Sequence, residues 1–210
     1  MSAFDGRALA LLRERVGVSM SPKRFAHTVG VEECVAQMAQ IYCPEQEGML
    51  RAAALLHDCT KEYSPTAEQE VLQREGIALR ADELASPQIL HAITAPAEIR
   101  RLYPTFATPV LLSCVRWHTT GREGITLCEA LLYLADVIEP GRAYPACIAL
   151  RERFFGADPA HMPNKQALAH LAGAVLQSLE GVRDSLAAKN APVCLDTLAA
   201  IADLKLRKTF

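Results

Sequence analysis

Helix punctuation constrains this chain more than any other feature. Ser21-Pro22, Ser64-Pro65 and Ser86-Pro87 each set an N-cap hydroxyl before a proline, whose fixed φ and missing N–H suit the first helical position. Thr126 and Glu129 have capping-box spacing ahead of the apolar run Ala130 to Leu134. No alternating Val/Ile/Thr run is closed by Asn-Gly or Asp-Gly, so strands are not expected. The pattern predicts an all-α fold with helices near 4–16, 22–43, 46–60, 65–75, 87–101, 108–118, 127–139, 145–156, 164–189 and 193–206.

A chain of 210 residues, half of them apolar, can bury one Leu/Ala-rich core. We therefore expect a single domain over 1–210, with a core near 18–142 and C-terminal helices near 145–206. In that last part Leu168, Leu171, Ala172, Val175, Leu179, Val182 and Leu186 keep helical spacing, and a shorter amphipathic segment follows Pro192. This predicts a helical hairpin packed on the main body. A net charge of −2 argues against an electrostatic nucleic-acid binder. The seven cysteines are odd in number, lack a C-x-x-C pair and sit among Leu, Ala and Val, so they read as buried thiols in a reducing compartment. The N-terminal residues lack a signal-peptide pattern, and no apolar run approaches the roughly 20 residues of a membrane span. A soluble, cytoplasmic protein is expected.

The ionisable residues fall in unusual places. His27 shares a stripe with Val31, Cys34, Met38 and Ile41, where a lone histidine is more often a satisfied core residue than a ligand. His57 and Asp58 close an apolar helix, and Asp58 alone reads equally as a helix-end hydrogen-bonding residue or a buried ligand. Asp136 is the only charge between Ala130 and Ile138, and an unpaired buried carboxylate is normally protonated, paired or metal-bound. His118 lies on a stripe with Leu111 and Val115, and His91 beside Ile89, Leu90 and Ile93. Four of the six histidines and two aspartates thus point into apolar faces of several helices. One shared cation cluster explains them more economically than separate structural roles. Imidazole and carboxylate without thiolate suit iron, manganese, zinc or another borderline divalent ion. His161 and His170 lie in the C-terminal part and stay outside this set.

The order His27, His57-Asp58, His91, His118, Asp136 resembles the two-metal HD-domain phosphohydrolases. The strings around Arg24 to Val31, Leu55 to Lys61, His118-Thr-Thr-Gly-Arg122 and Tyr133 to Arg142 look like the YqeK family over roughly residues 7 to 190. Where that family has glycine after its third histidine, this chain has Ala92. The resemblance implies an HD-domain helical bundle that cleaves diadenosine tetraphosphate symmetrically to two ADP. It implies two divalent metal ions, iron first, with manganese, cobalt or zinc as alternatives. His27, His57, Asp58 and Asp136 would hold one ion, and Asp58 would bridge to a second held by His91 and His118.

With the family in view, further residues acquire roles. Lys61 would lie one turn beyond His57 if the helix continues, and is assigned with Asp58 to the catalytic group, facing the phosphate under attack. Thr119, Thr120, Gly121 and Arg122 are expected at a helix end near His118, with Arg122 as a bidentate phosphate ligand by the resemblance and, without it, a surface arginine beside a helix C-cap. Arg24 and Arg142 are lesser substrate-binding candidates, each with a surface ion pair as its alternative. The implied partners are the dinucleotide and an ADP or GDP product, with neither membrane nor nucleic acid, and a homodimer is compatible. The alternative functions are hydrolysis of another nucleotide, or a catalytically silent nucleotide-binding regulator.

Overall fold

The computed structural model describes residues 3–210 as helices and connecting turns, with no strand among them. The helices are α1 (Gly6–Gly17), α2 (Pro22–Tyr42), α3 (Glu47–Leu56), α4 (Pro65–Glu75), α5 (Ala81–Leu84), α6 (Leu90–Leu102), α7 (Pro109–Trp117), α8 (Leu127–Ile138), α9 (Pro145–Gly156), α10 (Asn164–Ala187) and α11 (Leu195–Arg207). None is long and apolar enough to cross a membrane.

The caps act largely as their chemistry dictates. Ser21 and Ser64 accept the backbone N–H groups of Arg24 and Ala67, satisfying donors that a first helical turn leaves free. Thr126 and Glu129 close both halves of the capping box at the start of α8. Ser86 departs from expectation: its hydroxyl makes no cap bond, and Pro87–Ile89 forms a 3-10 turn before α6 begins at Leu90. The four-residue α5 is too short to show a period in the sequence.

Five helices build the frame of the site. α2 packs along α3 and α8, and α7 packs against α3, α6 and α8. Their shared interior holds fully buried Val31, Val35, Met38, Leu50, Leu55, Leu111, Leu131 and Leu134. The C-terminal hairpin expected from the sequence is present: α10 packs on both α8 and α11, with Leu171, Val175 and Leu179 buried. All seven cysteines are free, and Cys34, Cys43, Cys114 and Cys194 are buried.

One boundary matters for the chemistry. The sequence predicts a third helix to residue 60, but α3 stops at Leu56 and His57 begins a series of tight turns. Cys59 N–H bonds Leu56 O at 3.1 Å, Lys61 N–H bonds Asp58 O at 2.9 Å, and Tyr63 N–H bonds Thr60 O at 3.0 Å. The Thr60 hydroxyl donates to the main-chain oxygen of His91 at 2.9 Å, stitching this turn to the start of α6. Tertiary hydrogen bonds here outweigh a weak local preference for helix.

Candidate metal centre

All six side chains singled out from the sequence converge. His27 comes from the middle of α2, His57 and Asp58 from the turn after α3, and His91 from the first turn of α6. His118 caps the end of α7, and Asp136 sits in the last turn of α8. His57, Asp58, His91 and His118 are buried, while His27 and Asp136 are partly open, at 13% and 17% side-chain exposure.

Asp58 stands at the middle. Its Oδ2 is 3.3 Å from His57 Nε2 and 3.8 Å from His27 Nε2. Its Oδ1 is 3.3 Å from His91 Nε2 and 3.7 Å from His118 Nε2. Asp136 Oδ1 adds to the first group, at 2.9 Å from His27 Nε2 and 3.9 Å from His57 Nε2. His91 and His118 meet through their Nε2 atoms at 3.2 Å. The donors thus form two groups sharing one carboxylate.

The tautomers fit cation binding. His57 Nδ1 donates to Ala54 O at 2.6 Å and His118 Nδ1 donates to Val115 O at 2.7 Å. A carbonyl only accepts, so each Nδ1 carries the hydrogen and each Nε2 turns its lone pair inward. Among the described residues, the buried Nε2 atoms of both His27 and His57 lack a hydrogen-bond partner, although carboxylate oxygens stand close by. Lone pairs facing carboxylates repel unless a proton or a cation lies between them. The donor set of imidazole and carboxylate therefore suits a borderline divalent ion, and these residues could bind metal.

Electrostatics tells the same story. Burial opposes the charge on Asp58, yet His57, His118 and His91 hold its carboxyl well below the usual range. Asp136 is likewise held down against burial by His27, His57 and Arg142. Burial and the neighbouring His118 keep His91 well below the usual imidazole value, hence neutral as a ligand must be. His57 shifts upward despite burial, because Asp58 and Asp136 favour its proton.

The predicted accessory residues divide. Arg24 Nη1 donates to Asp58 Oδ2 at 2.6 Å, and Arg142 Nη2 donates to Asp136 Oδ1 at 2.5 Å. Lys61 still reaches the centre although the helix has ended: Nζ lies 3.1 Å from His91 Nδ1 and donates to Gln88 O at 3.3 Å. Thr119 Oγ1 is 3.1 Å from His118 Nε2 and 3.3 Å from His91 Nε2. Thr120, Gly121 and Arg122 do not join this cluster. The buried Thr120 hydroxyl donates to Gly121 O, and Gly121, at φ +62°, packs toward Ala200 and Leu179. Arg122 grips Glu129 instead, with Nε at 3.1 Å from Oε2 and Nη2 at 3.1 Å from Oε1. Ala92 is fully buried, a small side chain inside α6. His161 pairs with Asp158 at the surface, and His170 stacks on Phe154, both outside the site.

Two features of the site had not been singled out. Glu139, 3% exposed, accepts from His27 Nδ1. A cleft of about 1040 Å³ leads to His27 and is lined by Lys23, Arg24, Arg142 and Tyr144. Tyr144 follows a Pro-Gly-containing loop at a position without helical period, so only its aromatic ring could have signalled it.

With this geometry, an HD-domain profile matches residues 24–141, and the chain belongs to the HD-domain family. It is 30% identical over 203 residues to a protein of Halalkalibacterium halodurans named symmetrical bis(5'-nucleosyl)-tetraphosphatase, covering 97% of this chain and 98% of that protein. A Bacillus subtilis protein of the same name is 29% identical over 191 residues, covering 90% of this chain and 91% of its own length. The fold matches a crystal structure from Clostridium acetobutylicum, described as a predicted HD superfamily hydrolase involved in NAD metabolism. That match has a TM-score of 0.78 and 25% identity, over 94% of this chain and 97% of the other.

Proposed function

We propose that this protein is a metal-dependent phosphohydrolase that cleaves diadenosine tetraphosphate at its central phosphoanhydride, releasing two ADP. The observation that carries the reading is the convergence of six imidazole and carboxylate side chains around Asp58, beside an arginine-lined cleft. Relatives named for this activity, aligned over nearly the whole chain, support the choice of substrate.

His27, His57, Asp58 and Asp136 would hold one divalent cation, and Asp58, His91 and His118 a second, with iron the leading identity. Two such ions supply Lewis acidity, lowering the pKa of water from about 15.7 to roughly 7 and neutralising charge on the transferred phosphoryl group. The chain's own residues do the remainder. Arg24 and Arg142 steady the two carboxylates from the cleft side and hold a polyphosphate there by their remaining N–H groups. Lys61 and the Thr119 hydroxyl, both against His91, donate to the phosphate under attack. ADP departs as an anion, so positioning and charge neutralisation carry the reaction without a dedicated general acid.

Incubating the protein with diadenosine tetraphosphate and Fe²⁺ or Mn²⁺ under reducing conditions tests the reading. ADP as the sole product supports it. ATP plus AMP, or inertness beside cleavage of other nucleotides, rejects it in favour of another HD-family substrate.

A further inference from the structure

Among the described residues, Glu139 is a buried carboxylate without an arginine or lysine partner, in a fold where Glu32, Glu98 and Glu129 each face arginine. It lies just past α8, three residues beyond Asp136. Its Oε1 accepts from His27 Nδ1 at 3.1 Å, and its Oε2 accepts the Gly141 N–H at 2.5 Å. Two glycines clear its space. A Cβ on Gly30, one turn after His27 on α2, would overlap Glu139 Oε2, and one on Gly141 would lie 2.9 Å from the same oxygen. The surrounding backbone is braced separately by Arg151, whose Nη1 donates to Glu139 O at 2.9 Å and Arg142 O at 3.3 Å. The loop therefore has an anchor other than this side chain.

We infer that Glu139 is a positioning residue of the centre, acting through His27, and that Gly30 is glycine so that this carboxylate can enter. His57 and His118 present Nε2 inward because a main-chain carbonyl of their own turn takes Nδ1–H. His27 has a carboxylate in that role, which fixes the ring, sets its tautomer and makes Nε2 the more basic ligand. The inference rests on reading His27 as a metal ligand.

The test is metal retention, read without turnover. Full-length protein loaded with Mn²⁺ is titrated with a chelator, the remaining metal is counted by mass spectrometry, and melting of the metal-free form reports folding. Glu139→Ala is expected to release one of two ions at about 10- to 100-fold less chelator. Glu139→Gln, whose amide oxygen still accepts from Nδ1, should fall between that variant and the parent. Gly30→Ala leaves Glu139 in the sequence but puts a methyl where its carboxylate sits, and alanine is the better helix former. It should release metal as Glu139→Ala does, and it decides the matter if Glu139→Ala does not fold. Parental retention in folded Glu139→Ala or Gly30→Ala overturns the inference. His27→Ala is the control for its premise: parental retention there means that the metal reading of His27 has failed, a different result.

Discussion

Replacing Arg122 by methionine separates two uses of one guanidinium. The sequence motif suggests phosphate binding, whereas the structure gives Arg122 to Glu129, which is 1% exposed. Methionine keeps much of the stem and removes the charge. Glu129 then retains only neutral donors, the Ser113 hydroxyl at 2.5 Å and Thr126 N–H at 2.8 Å. Breaking a fully buried ion pair costs about 3–5 kcal/mol. Arg122 is 31% exposed, so water already screens part of the pairing, and about 2 kcal/mol is expected. For a chain of this size that lowers the melting temperature by roughly 4–8 °C. Calorimetric melting and Michaelis kinetics on one preparation test it. We expect the drop in melting temperature with KM for the dinucleotide unchanged. An unchanged melting temperature with KM raised tenfold would refute the assignment and return Arg122 to the substrate.

Other outcomes follow from the same geometry. Lys61→Met should lower kcat by about 10²- to 10³-fold while metal content holds, because the role proposed for the ammonium is to stabilise developing phosphate charge; kcat within threefold of the parent would remove it from the mechanism. Tyr144, 69% exposed at the cleft, offers a base-stacking face. Tyr144→Ala should therefore raise KM by at least about fivefold, the equivalent of about 1 kcal/mol of stacking, with kcat little changed. Burial alone would raise the Glu98 carboxyl, but hydrogen bonds from Arg101, Arg74 and Tyr63 hold it at about 2 against an ordinary 4.5. A depressed acid contributes stability above pH 4.5 that is lost as pH falls toward 2. Both arginines are about half exposed, so the contribution is discounted to about 1–2 kcal/mol. Denaturant unfolding of Glu98→Gln should show that loss at pH 7 and a smaller one near pH 3; equal losses would count against the linkage.

Much of the frame was legible because local chemistry writes it. Ser21, Ser64 and the Thr126–Glu129 box mark starts that the structure keeps. The six donors were legible because polar residues on apolar stripes are costly unless paired. The turn at His57 was not, since hydrogen bonds from Thr60 to α6 and from Arg24 to Asp58 join residues far apart in sequence. For the same reason local patterning does not mark Glu32, Glu98, Glu129 and Glu139 as buried. Each is buried by a partner that only the fold supplies: Arg13 and Arg51, Arg74 and Arg101, Arg122, and His27. Arg122 carries two readings because a phosphate-binding string and a buried ion pair use the same residue.

Metal stoichiometry tests the central claim most directly. Protein purified without oxygen and reconstituted with Fe²⁺ should carry two ions per chain, His118→Ala and Asp136→Asn should each lose metal, and hydrolysis should fall with it. Unchanged metal content and activity in both variants would contradict a centre built from these six side chains.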